Sequence, residues 1–191
     1  MSNTYPLVAR PNAVGFTLLE LLTAIAVLGV LLAIGVPAFT ETIRTNRLAA
    51  QANDVVQALS MARSEASKRG IPVAVCAANA DQSGCAGDTA DDWANGWIVF
   101  TDDGATPGSL ENGELVLQTS RRVADEMQLS TNNLGFVRYA ANGGTTNAAA
   151  TPIGTAVIVF ELRPNTCTGT NVRRITVERT GRANLSRLSC S

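Results

Sequence analysis

Apolar and polar positions fall into three regimes along the chain. Between Phe16 and Phe39, 18 of 24 residues are apolar, and no charged side chain lies between Glu20 and Glu41. As a helix, that run is long enough to cross a hydrocarbon layer of ~30 Å. Over 40–69 the apolar residues thin to a stripe. Leu48, Ala52, Val55, Leu59, Ala62 and Ala66 alternate spacings of four and three, while Arg44, Arg47, Asp54, Arg63, Glu65 and Lys68 take other faces. This is the period of one helix face seeking a partner surface, and linkers do not carry it. Gly70 followed by Ile71-Pro72 supplies the stop. A single helix over 16–69 is therefore predicted, apolar all round in its first half and amphipathic in its second, running about 80 Å at 1.5 Å per residue.

Beyond Gly70 the pattern shifts to short runs broken by Gly, Asn, Asp and Pro. Strands are predicted over 72–77, 96–101, 114–119, 134–139, 155–162, 172–178 and, more weakly, 183–188. The turn-forming pieces Asp102-Asp103-Gly104 and Asn112-Gly113 bracket a long hairpin between the second and third of these. Residues 141–152, rich in Ala, Asn, Gly and Thr, read as a flexible loop. The expected class is α+β: a long N-terminal helix packed on an antiparallel β head spanning 70–191.

Glu20, set among Leu18, Leu19, Leu21 and Leu22, is out of place in an apolar helix. A carboxylate there is costly unless it reaches an interface or a cation, so it is a candidate functional residue. The stretch Gly15-Phe16-Thr17-Leu18-Leu19-Glu20 resembles the processing signal of type IV pilins and type II secretion pseudopilins, a short leader ending in glycine followed by Phe-Thr-Leu-x-Glu. The resemblance implies that a prepilin peptidase removes 1–15 by cutting between Gly15 and Phe16 and that Phe16 is N-methylated. It also implies that Glu20 pairs with the terminal amine of a neighbouring subunit, and that Pro37 is the helix-bending proline of this family. Arg10, the one charge of the leader, suits a cytoplasmic N-terminus. The implied organisation is leader 1–15, membrane-spanning and filament-core helix 16–39, amphipathic half 40–69 and extracytoplasmic head 70–191. Such a chain would sit as a single pass in the inner membrane before entering a pilus.

In the head, Trp93-Ala94-Asn95-Gly96-Trp97-Ile98-Val99-Phe100-Thr101-Asp102 resembles the W-x-x-G-W-x-V-F-x-D signature of the GspH/FimT/FimU subfamily. The blocks at 136–143 and 174–182 resemble its later segments. Read from the residues, Trp93 and Trp97 are core aromatics and Gly96 permits a close approach.

Composition sharpens this picture. Of 191 residues 46% are hydrophobic and 16% charged, enough for a core. The chain has no histidine, which excludes Ser-His-Asp and Cys-His catalysis and imidazole-ligated zinc. No P-loop or Gly-x-Ser-x-Gly occurs, so no catalytic residue, cofactor or metal site is assigned. Four cysteines in an extracytoplasmic head suggest two disulfides. Three connectivities are possible, and the sequence-local pairing Cys76–Cys85 with Cys167–Cys190 is expected. The acidic loop with Asp102, Asp103, Glu111 and Glu114 lacks EF-hand spacing.

The net charge of −1 conceals segregation. Between Asp81 and Glu126 ten acidic residues face two arginines; between Arg163 and Arg187 six arginines accompany only Glu178. In FimT-type minor pilins a Gly-Arg-x-Arg element is associated with DNA capture in natural transformation. Gly181-Arg182-Ala183 matches its start, and Asn184 replaces the second arginine. Guanidiniums bind phosphates bidentately, so the arginine-rich end offers Arg173, Arg174, Arg179, Arg182 and Arg187 as candidate DNA contacts. The other reading of the same charge pattern is an acidic face of one subunit meeting the basic face of another. The expected function is a minor type IV pilin, with a type II secretion pseudopilin as the alternative and a membrane-anchored enzyme disfavoured. Its partners are the prepilin peptidase, other pilins and, through the arginines, DNA.

Overall fold

The computed structural model describes residues 15–87, 89–146, 157–167, 169 and 171–190. Residues 1–14 of the expected leader 1–15, and 147–152 of the expected loop at 141–152, lie outside them. One helix, α1 (Leu18–Arg69), is followed by nine strands: β1 (Val73–Ala77), β2 (Trp97–Thr101), β3 (Val116–Thr119), β4 (Met127–Thr131), β5 (Phe136–Tyr139), β6 (Thr145–Thr146), β7 (Ile158–Pro164), β8 (Val172–Val177) and β9 (Ala183–Leu188). The chain divides into two compact units at Ile43/Arg44.

The first unit is the apolar part of α1. Thr17 caps it: its Oγ1 accepts the Glu20 N–H at 3.2 Å and its carbonyl accepts the Leu21 N–H at 3.1 Å. With Glu20 three residues after the cap, the carboxylate also lies at the positive end of the helix dipole. From Phe16 to Phe39 the large apolar side chains are exposed. The helix is long and apolar enough to cross a membrane.

The second unit begins with the amphipathic half of α1. All six residues of the predicted stripe, Leu48, Ala52, Val55, Leu59, Ala62 and Ala66, are buried. The helix ends where Gly70 turns left-handed (φ 71°) and donates its N–H to the Ala66 carbonyl at 3.0 Å. A side chain at that φ would be strained, which is why glycine sits there.

Two antiparallel sheets complete this unit, ordered β3-β2-β1-β5-β6 and β4-β7-β8-β9. Both β1 and β2 are buried at every position. Val73, Val75, Ala77, Trp97 and Val99 join the helix stripe in one core. Their neighbours Ala74, Cys76, Ile98 and Phe100 face a second, smaller cluster with Phe136, covered by Cys85 and Leu110. A sheet buried on both faces reads as a continuous apolar run, and that made these strands conspicuous. In the four-stranded sheet Leu129, Phe160, Leu162, Ile175 and Val177 face the main core. There Trp93 meets Phe160 edge-to-face at 4.9 Å.

Six expected strands appear in shortened or shifted form and 183–188 as β9. The expected hairpin is present, with β2 pairing antiparallel to β3. Two strands differ from expectation. Met127–Thr131 was not predicted as a strand because only Met127 and Leu129 are large and apolar; as β4 it pairs with β7 and buries those two. Within the expected flexible loop, Thr145–Thr146 form β6, because the Thr145 N–H finds the Arg179 carbonyl at 3.0 Å and both threonines pair with β5.

Candidate functional site

Phe16, Glu20, Thr23, Ala24, Val27, Leu28 and Leu31 frame an open groove of about 520 Å³ along one side of α1. Phe16 is 82% exposed and nothing lies within 4 Å of the position a Gly15 side chain would take. Glu20 projects from a largely apolar surface, with Leu18, Leu19, Leu21 and Leu22 exposed around it. An apolar helix exposed on all sides is stable only in lipid or among other helices, and a carboxylate on it then calls for a cation. α1 continues through Pro37.

The head presents its arginines on β8, β9 and the turn between them. Arg173 faces inward, 2% exposed, with its register partner Arg187 beside it on β9. Burial, and then the charge of Arg187, lower the Arg173 pKa from its usual value. Arg174 is on the outer face, where its Nε donates to Glu161 Oε1 at 2.9 Å and Arg163 Nη2 donates to Glu161 Oε2 at 2.6 Å. These guanidiniums, Arg174 foremost, hold the Glu161 carboxyl below the usual carboxylate range. Arg179, Arg182 and Arg187 are exposed, and among the described residues none of them has an ion-pair partner. Of the five candidate arginines, the structure therefore leaves three exposed and without an ion-pair partner among the described residues, partly neutralises one and buries one.

Gly181, which opens the Gly-Arg element, has a packing role. Its φ is 78°, and a Cβ there would come within 2.0 Å of the Gly143 carbonyl oxygen. Arg63 from α1 donates its Nε to the same oxygen at 3.0 Å. The β8–β9 turn, which carries Arg179 and Arg182, is thus seated on the β5–β6 loop. Arg63, read from sequence as a solvent-face charge, is the residue this junction needed and the pattern did not reveal. Thr17 is another, although Thr-x-x-Glu at a helix start is a recognisable signal.

The signature blocks in the head also resolve into structure. Trp93 and Trp97 are core residues. A Cβ on Gly96, at φ 89°, would meet Ser120 Oγ at 2.5 Å and the Arg121 carbonyl at 2.6 Å. Asp102, wholly buried, accepts Arg138 Nε at 2.6 Å and the Gly108 N–H at 3.1 Å, while Arg138 Nη2 returns to the Asp102 carbonyl at 2.9 Å. The first and second blocks are therefore joined by one buried ion pair.

Cys76 is bonded to Cys85 and Cys167 to Cys190, with Cα separations of 5.6 and 5.7 Å. In the acidic loop Glu111 and Glu114 accept the N–H groups of Ala105 and Gly104 at 2.8 and 2.9 Å, so their carboxylates brace the turn. Among the described residues no cluster of His, Cys, Asp and Glu has the makings of a metal site.

The profile of the family described as type II transport protein GspH matches residues 51–181. Among solved structures, the type IV minor pilin FimU of Pseudomonas aeruginosa strain PAO1, in space group P21, is similar with a TM-score of 0.55 and 20% identity. That match covers 78% of this chain and 92% of that one. A second crystal form of FimU, in space group P65, gives a TM-score of 0.49 and 18% identity over 72% and 90% of the two chains. At such identity the first likeness shows the fold, a pilin fold. No curated protein sequence matches. The GspH profile spans well over half of the chain, including the tryptophan signature, the Asp102–Arg138 pair and the Gly181 turn, and the chain belongs to the GspH family of pilin-like subunits.

Proposed function

We propose that this chain is a minor pilin, cut between Gly15 and Phe16 by a prepilin peptidase, methylated at Phe16 and incorporated into a type IV pilus, at its tip or in its initiation complex. The observation that carries the reading is the fully exposed apolar part of α1 with Glu20 in its first turn. Such a helix rests in the inner membrane as a single pass and leaves lipid by bundling with other pilin helices. There the terminal amine of a neighbour supplies the cation Glu20 lacks. Pro37 then adjusts the helix path in the bundle. Replacing Glu20 with Ala is expected to leave insertion and cleavage intact and to remove the subunit from sheared filaments; normal incorporation of the variant would overturn the role of Glu20.

The GspH family match favours a second reading, a pseudopilin of a type II secretion system. Deleting the gene separates the two: loss of pili with normal protein export supports the first, and loss of export with normal pili supports the second.

DNA contact is a further element of the proposal. Arg179, Arg182 and Arg187, exposed and without an ion-pair partner among the described residues, support it, and Arg174 contributes only partly because Glu161 already holds it. Arg173 is too buried to take part. Changing Arg179, Arg182 and Arg187 together to Gln is expected to abolish salt-sensitive retardation of duplex DNA; unchanged retardation would remove DNA from the account.

A further inference from the structure

A cleft of about 580 Å³ lies in the head between α1 and the edge of the five-stranded sheet, away from the arginine turn. One wall is a second stripe of α1, with Arg47, Gln51 and Asp54. The other is Gln118 and Thr119 of β3 with Arg121 beyond it, and Trp97 completes the lining. Its dimensions suit a short peptide or a small ligand.

Three features define what would fit. First, the Trp97 indole N–H and the Gln51 Oε1 are buried, and neither has a hydrogen-bond partner among the described residues. The other tryptophan shows the usual arrangement, Trp93 Nε1 donating to the Leu134 carbonyl at 3.1 Å. Buried donors and acceptors are nearly always paired, so an unpaired one of each on a single cleft points to an absent group carrying both functions. A peptide unit does so, whereas a phosphodiester offers no donor.

Second, β3 is the outermost strand of its sheet. The Ser120 N–H donates to the Trp97 carbonyl at 2.8 Å, and Val99 lies opposite Gln118. By the alternation of an antiparallel ladder, the N–H and C=O of Thr119 then point away from β2, along a free edge beside the cleft. Third, three guanidiniums on the lining face the single carboxylate of Asp54. Arg47 is paired with Glu126 at 3.1 Å and Arg122 donates to the Ala80 carbonyl, whereas Arg121 has no ion-pair partner among the described residues.

We infer that this cleft receives an extended, acidic segment of a neighbouring subunit, added as a strand to the free edge of β3. Gln51 turns aside, its amide and the Trp97 N–H take a peptide unit of the incoming strand, and Arg121 takes a carboxylate. The neighbour's identity as a filament subunit rests on the assembly proposed above; the cleft's chemistry does not.

The test uses the full-length chain in detergent micelles, labelled with ¹⁵N, and follows the two indole N–H resonances, assigned with Trp97→Phe or, if that variant does not fold, by sequential assignment. The probe is the blocked peptide acetyl-Val-Glu-Val-Glu-Val-amide. A saturable shift of the Trp97 signal is expected, with the Trp93 signal unmoved. The surface variant Arg121→Glu is expected to weaken binding at least tenfold, and the peptide with Lys in place of Glu to leave the signal where it was. No Trp97 shift at millimolar peptide would overturn the inference. So would an equal shift from free glutamate, from the Lys peptide or in Arg121→Glu. Any of these results leaves the assembly proposal, which is tested on filaments, untouched.

Discussion

Arg138→Met should destabilise the head more than its surface-like residue type suggests. Arg138 supplies Asp102 with an ion pair at 2.6 Å and a second hydrogen bond to the Asp102 carbonyl at 2.9 Å, in a site where Asp102 has no solvent contact. Without Arg138 the one remaining donor to the carboxylate among the described residues is the Gly108 N–H. Removing one partner of a buried pair costs about 3–5 kcal/mol, chiefly because the other charge is left uncompensated. At ~2–4 °C per kcal/mol for a domain of this size, the melting temperature should fall by roughly 6–20 °C. Near-UV circular dichroism reads this directly, because Trp93 and Trp97 belong to the head core. The double variant Asp102→Asn with Arg138→Met should be less destabilised than the sum of the singles by about 1.5 kcal/mol or more, since it leaves no buried charge. Burial already raises the folded-state pKa of Asp102 above its usual value with Arg138 in place, and in Arg138→Met the loss of the arginine's opposing effect raises it further. The carboxylate's penalty is then present above the folded pKa and disappears as pH falls through it, so the deficit should narrow on acidification. A loss below about 1 kcal/mol, or additivity of the two singles, would refute the reasoning.

Other outcomes follow from the same structure. Gly181→Ala should cost about 1–3 kcal/mol in urea unfolding, because the left-handed φ and the Gly143 carbonyl at 2.0 Å both oppose a Cβ; wild-type stability would contradict the seating of the β8–β9 turn. Leu59→Ala, in the middle of the buried stripe, should cost about 2–5 kcal/mol by the same assay, against near-neutral Asp54→Ala on the exposed side. Glu161 has a lowered folded-state pKa, so its stabilising effect is present above the unfolded carboxylate value and lost as pH falls through the folded one. Glu161→Gln should therefore be less stable than wild type at neutral pH by up to about 1 kcal/mol, with the gap closing in acid.

The helix, its buried stripe and the doubly covered strands β1 and β2 were legible because burial imposes a period, and period survives in a single sequence. β4 and β6 were not. β4 needs the register of β7 to show which of its residues turn inward, and β6 exists because the Arg179 carbonyl meets it from a distant turn. The candidate sites divide in the same way. Glu20 stood out because a carboxylate contradicts its apolar surroundings. Among the arginines, charge counting gave six equivalent residues, whereas register turned Arg173 into the core and set Arg174 against Glu161. The Asp102–Arg138 pair joins two motif blocks that sequence alone presents as separate. The unpaired Trp97 N–H was hidden for the same reason, since residue type says that a tryptophan is buried but not whether its nitrogen finds an acceptor.

The central claim is that the chain functions by assembly through a processed N-terminus. Mass spectrometry of the protein recovered from sheared filaments tests it most directly. The account expects a chain that begins at Phe16, lacks residues 1–15 and carries one added methyl group on its terminal amine. A chain that retains its leader, or one found only in the membrane fraction and never in filaments, would contradict it.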